Sequence, residues 1–122
     1  MIDHVGLHVL DLAASVDFYA AALAPLGYVV CSRDDTSASF GPPEQPALYL
    51  YRTARANGPG THVALRGKDR RSVRDFHERG LEAGGKDHGA PAVRAEYSPS
   101  YYAAFLLDPD GNNLEAVCMT SK

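Results

Sequence analysis

Apolar and polar residues alternate from the start of the chain, with Val5, Leu7 and Val9 on one face of an extended segment and His4, Gly6 and His8 on the other. A period of two is that of a half-buried strand, so residues 2–10 are predicted to form one. The period then changes. Asp11 stands where a helix N-cap belongs, and Leu12, Val16, Tyr19 or Ala20, and Leu23 recur at helical spacing until Pro25 and Gly27 end the run. Short strand patterns follow at 28–32, 37–40 and 47–52, the last two separated by a proline-rich loop over 41–46. Residues 53–60 carry no period and finish in Gly58-Pro59-Gly60, a linker signature.

The pattern then restarts. Thr61-His62-Val63-Ala64-Leu65 repeats the shape of Asp3-His4-Val5-Gly6-Leu7, and a helix capped by Asp69 or Ser72 runs to about Ala83 before Gly84-Gly85. His4 and His62, Phe18 and Phe76, Leu23 and Leu81, and Gly27 and Gly85 are each 58 positions apart without a gap, which argues for an internal duplication. The segment 86–101, with Gly89, Pro91 and Pro99, reads as a long loop, of the kind that serves as a lid or binding loop. Two apolar runs, 103–107 and 112–118, flank Asp108-Pro109-Asp110-Gly111 and predict a hairpin, since proline presets φ in a turn and glycine accepts the positive φ that closes it. One domain over 1–122 is expected, made of module one (1–53), a linker (54–60) and module two (61–122).

Composition narrows the picture. A chain of 122 residues with 45% apolar and 22% charged residues is ordinary globular usage, long enough to bury a core. The net charge of −3 leaves no electrostatic footprint for nucleic acid, and the basic cluster from Lys68 to Arg74 is broken by Asp69. Cys31 and Cys118 lie far apart in apolar runs and read as buried thiols of a reducing compartment rather than as a disulfide. Asp3 and His4 interrupt the N-terminus, and no apolar run reaches the roughly 18 residues of a membrane span. A cytoplasmic protein without a membrane partner is the expectation.

The chemistry gathers on three polar residues in apolar-patterned strands. On the last strand Asn113, Glu115 and Val117 share one face and Leu114, Ala116 and Cys118 the other. If the second face packs on helices, Glu115 sits mid-strand where a carboxylate needs a pair, hydrogen bonds or a metal. His4 and His62 hold equivalent places in the two halves, and approximate two-fold symmetry lets both face one point. Two imidazoles and one carboxylate are the ligand set of a mononuclear site, either non-haem iron with open positions or catalytic zinc with a bound water. The alternative is that each is a hydrogen-bonded strand residue. His8 shares the face of His4 but lies ~13 Å along the strand, a pocket-wall position. Tyr49 and Tyr51 share a strand face, as an aromatic wall of the pocket or as packing under a helix, and Tyr97, Tyr101 and Tyr102 present the same two options. Arg66 shares the face of His62 and is a candidate for an anionic substrate group or a rim ion pair. Asn113 joins the substrate-facing set. His77, amid charges on the second helix, reads as solvated, and His88 in the long loop is within reach of the pocket.

Ile2-Asp3-His4-Val5-Gly6-Leu7, the Asp11-Leu12…Phe18-Tyr19 helix, the restart at Thr61-His62, and Asp108-Pro109-Asp110-Gly111-Asn112-Asn113-Leu114-Glu115 together resemble the vicinal oxygen chelate superfamily, which includes glyoxalase I, bleomycin-resistance proteins and extradiol dioxygenases. The resemblance covers nearly the whole chain. It implies an α+β fold of two paired βαβββ modules forming a curved mixed sheet around a cleft, a homodimer, and a divalent metal (Fe, Zn, Mn or Ni) held at His4, His62 and Glu115. Glyoxalase I enzymes carry a further ligand on the last strand of module one, and here 47–52 offers no carboxylate. Two functions follow. One is a glyoxalase-like, metal-dependent enzyme, a lyase, isomerase or ring-cleaving dioxygenase acting on a small oxygen-chelating substrate. The other is a metal-free protein that binds a small molecule or antibiotic.

Overall fold

The computed structural model describes residues 1–56 and 58–121, so Asn57 of the expected linker and Lys122 at the end of module two lie outside the described residues. Module one runs β1 (Val5–Val9), α1 (Leu12–Leu23), a 3-10 turn (Ala24–Leu26), β2 (Val29–Arg33), β3 (Ser37–Gly41) and β4 (Leu48–Arg52). Module two repeats it as β5 (His62–Arg66), α2 (Arg70–Glu82), β6 (Lys86–Val93), β7 (Tyr102–Leu107) and β8 (Asn113–Cys118). Each module forms a four-stranded sheet of the same order, β1-β4-β3-β2 and β5-β8-β7-β6, in which the first strand pairs parallel with the last and the others are antiparallel. Identical topology in both halves is what a duplicated sequence requires. The fold is α+β with paired βαβββ modules, as the motifs implied.

The helices start where side chains satisfy the orphan backbone donors of a first turn. Asp11 accepts from Ala14 N at 3.0 Å. Asp69, not Ser72, is the cap of α2, and the two residues close a capping box with Ser72 N donating to Asp69 at 2.8 Å. Leu12, Val16, Tyr19 and Leu23 of α1 and Val73 and Phe76 of α2 are buried. These residues and the inward residues of both sheets, among them Leu7, Val9, Leu48, Leu50, Leu106 and Leu114, make one hydrophobic core shared by the modules. Full burial of one such side chain is worth about 1.5–3 kcal/mol, so each module's apolar face gains from the other. Gly80 permits a close approach. A Cβ there would run into Leu106, with Ala22 and Phe18 of α1 next to it, so only the smallest residue lets α2 lie against α1 and its own sheet. Across the same junction the Tyr19 hydroxyl donates to Asp108 Oδ2 at 2.6 Å, and Leu10 N donates to Asp110 at 3.4 Å. Burial, with Asp108 beside it, pushes the Tyr19 hydroxyl well above its ordinary range, which keeps it a donor.

Two expectations are corrected. Much of 86–101 is not loop, because Lys86–Val93 forms β6. Its pairing with β7 breaks register on both sides of Gly89, which hides the alternation. Pro91 is tolerated because β6 is the sheet edge and its missing N–H interrupts no ladder. His77 is not solvated; it is buried, with Nε2 2.9 Å from Asp87 Oδ1, because β6 packs against α2. Both thiols are free, Cys118 buried and Cys31 half-buried. No helix is long and apolar enough to cross a membrane among the described residues.

Candidate functional site

The parallel pairing of β5 with β8 sets His62 beside Asn113, Ala64 beside Glu115 and Arg66 beside Val117, so these residues share one sheet face. The antiparallel pairing of β7 with β8 puts Phe105 directly beside Glu115 on the same face. Leu114, Ala116 and Cys118 point the other way, into the core. Glu115 therefore stands on the face turned from the helices, yet it is only 2% exposed. Its neighbours cover it. His62 Nε2 is 2.8 Å from Glu115 Oε1, and the Tyr101 hydroxyl donates to Glu115 Oε2. Burial of the hydroxyl, followed by its bond to Glu115, raises Tyr101 to about 12, so it stays a proton donor to the carboxylate at neutral pH. The His62 ring lies 6.3 Å from that of Phe105. Beside this group opens a cavity of about 250 Å³ lined by His88, Arg94, Glu96, Tyr97, Phe105 and Asn113.

The equivalent face of module one carries the other candidates. β1 pairs with β4 so that Gly6 meets Tyr49 and His8 meets Tyr51. The two tyrosine rings stack 6.0 Å apart at 8°, with His4 edge-on to Tyr49 at 5.2 Å and His8 edge-on to Tyr51 at 6.1 Å. Leu48 and Leu50 take the core side, so Tyr49 and Tyr51 form an aromatic wall on the open face rather than packing under α1. His4 is half-exposed, with Nδ1 2.7 Å from Asp3. Among the described residues no three His, Cys, Asp or Glu side chains converge as a metal site. One chain thus brings together His62 and Glu115, and holds His4 on the matching face of the other module.

Several residues fall elsewhere. Tyr102 points to the helix side, buried in the core with the Arg70 guanidinium 4.8 Å above its ring. Its neighbour Tyr101 is the tyrosine that meets Glu115. Arg66 lines a separate hollow with Leu26, Lys68 and Met119. Asn113 and His88 do reach the cavity, where Arg94 and Phe105 join them. The pattern apolar-Phe105-apolar on β7 could have pointed to Phe105 from the hairpin register alone. Arg94 carried no such signal, because it lies just past the irregular strand.

The fold matches known proteins over nearly the whole length. A glyoxalase/bleomycin resistance protein from Albidiferax ferrireducens T118 superposes with a TM-score of 0.82 at 27% identity, covering 96% of this chain and 97% of that one. A glyoxalase/bleomycin resistance protein/dioxygenase from Nocardioides gives 0.65 at 25% identity, with 99% and 84% covered. A glyoxalase-related enzyme from Fulvimarina pelagi shares the fold, with a TM-score of 0.73 at 20% identity over 96% and 86% of the two chains. No curated protein matches the chain in sequence. The model of the glyoxalase/bleomycin resistance protein/dioxygenase superfamily matches residues 1–116, and with sheet order, core and motifs in agreement, the chain belongs to that superfamily.

Proposed function

We propose that this chain is one subunit of a homodimeric, divalent-metal-dependent enzyme acting on a small substrate that presents two neighbouring oxygens, of the lyase, isomerase or ring-cleaving dioxygenase class. The observation that carries this reading is Glu115, a carboxylate 2% exposed on the open face of a sheet, facing an imidazole and paired in register with Phe105, which lines a cavity. A buried carboxylate without full charge compensation is costly, and such groups cluster where chemistry is done.

The donor chemistry fits a divalent ion. His62 Nε2 and Glu115 Oε1 stand 2.8 Å apart on one face, and His4 is the symmetry-related imidazole of module one. The residues that would hold it are His62 and Glu115 of one chain with His4 of a second copy. When bound, the ion supplies a Lewis acid that draws electron density from chelating substrate oxygens. The chain's own residues do the rest. Tyr101 holds Oε2 of Glu115 and orients the carboxylate, as an outer partner commonly does for a ligand. Phe105, beside Glu115 in register, supplies an apolar floor that keeps water from one side of the pair. Tyr49 and Tyr51 furnish a second aromatic wall next to His4.

Elemental analysis of protein purified without chelator or nickel resin tests this. About one equivalent of Fe, Zn, Mn or Ni per chain, lost in His62→Ala, is the expected result. A second reading, a metal-free binder of a small molecule or antibiotic, is favoured by one feature: both oxygens of Glu115 are already partnered, by His62 and Tyr101. No metal in either protein, and none taken up on titration, would replace the first reading with the second.

A further inference from the structure

The cavity beside Glu115 has an arginine in its wall. Arg94 follows β6, and its guanidinium lies over Phe105, 5.3 Å from the ring centre. Nη2 donates to the carbonyl oxygens of Ala90 and, at 3.5 Å, of Ala103. Among the described residues Arg94 forms no ion pair, although Glu96 lines the same cavity. Its Nε is buried without a hydrogen-bond partner, and Asn113 Oδ1 in the same lining is buried and unpartnered too. Gly89 makes the room. A Cβ there would sit 2.8 Å from Phe105 Cδ1 and 3.2 Å from Arg94 Nη2, so the guanidinium and ring are seated by the absence of a side chain.

A purely structural role, pinning the β6 edge to β7, employs Nη2 alone. It leaves the buried Arg94 Nε donor and the buried Asn113 Oδ1 acceptor, both in residues of one cavity lining, without partners, and a buried polar group left unpaired is costly. A guanidinium over an aromatic ring is suited to a planar or tetrahedral oxyanion. We propose that Arg94 is a substrate-binding residue that takes the carboxylate or phosphoryl oxyanion of a small organic anion lying on Phe105, with Asn113 Oδ1 accepting from a hydroxyl or N–H of the same molecule. The inference rests on the reading that the His62–Glu115 face is the substrate site, and it narrows the substrate class to anions. Arg66, the arginine singled out by strand alternation, opens onto a different hollow.

The test uses chelator-treated protein, benzoate and phenylphosphonate as anionic probes, and benzamide as the neutral control. Both the Arg94 Nε–H resonance and calorimetric affinity are followed. The expected result is that at least one anion shifts that resonance saturably while benzamide does not. Affinity for that anion falls about tenfold or more in Arg94→Gln and is unchanged in Arg71→Gln, a charge loss on the exposed face of α2. The stronger of the two anions identifies the carboxylate or phosphoryl source. Because Arg94→Gln also removes carbonyl contacts, Arg94→Lys serves as the second variant. Retained charge with native circular dichroism is expected to keep part of the affinity. An unmoved Arg94 resonance, equal affinity in Arg94→Gln, or benzamide binding as tightly as benzoate overturns the proposal. Metal uptake is read separately. Failure of metal binding with Arg94-dependent anion binding intact leaves this subsite standing, whereas normal metal uptake without such binding removes the subsite alone.

Discussion

Glu115 is a residue whose surroundings, rather than its type, make it consequential. A carboxylate on a strand is unremarkable until both oxygens are turned to one imidazole and one phenol at 2% exposure. Removing the phenol hydroxyl strands a buried oxygen. Tyr101→Phe is therefore expected to lower stability by about 1–3 kcal/mol in urea denaturation of the metal-free protein; an unchanged midpoint would mean water replaces the hydroxyl without cost. Alternation along the last strand placed Glu115 opposite Leu114 and Ala116 from sequence alone. Choosing between Tyr101 and Tyr102 was beyond it, since adjacent residues on a strand face opposite ways and the choice depends on where β7 begins.

At the scale of elements, α2 is held at its start by a charged cap. Asp69 accepts from Ser72 N, and that backbone bond foremost keeps its carboxyl below the ordinary aspartate range. A depressed folded-state pKa adds stability that is fully present above the unfolded value and lost as pH falls through the folded one. Asp69→Asn retains an N-cap acceptor but removes the titration. The variant is expected to lose less stability than the parent between about pH 5 and pH 2, read from urea midpoints across that window. Equal acid sensitivity of the two proteins would assign the loss to other carboxylates. The cap was visible in the sequence because N-cap chemistry is local. Strand β6 was not, because Gly89 and Pro91 break its alternation and only the hydrogen bonds of β7 hold it extended. The burial of His77 followed from the same hidden strand.

At the scale of the molecule, the duplicated halves share a core through α1 and α2, leaving His4 on one open face and His62 with Glu115 on the other. A metal centre drawing His4 from a second copy makes a sharp demand on a dimer. His4→Ala and His62→Ala homodimers should each lose the metal, while mixed dimers of the two recover one intact site, about half the parental content. No recovery on mixing would place each site within a single chain.

What this sequence determined by itself was whatever is encoded locally or by repetition. Periods of two and 3.6 located most strands and both helices, turn and cap residues bounded them, and the 58-residue offset announced paired modules. The ligand-type residues were legible for the same reason, since a charged or imidazole side chain in an apolar pattern stands out without a structure. The tertiary structure alone decided which of those residues meet. It paired His62 with Glu115, separated both from His4, turned Tyr102 inward and brought Arg94 over Phe105. Strand register, the angle between modules and the path of an irregular edge strand are set by contacts between residues far apart in the chain, and a one-residue shift in any of them exchanges core for cavity.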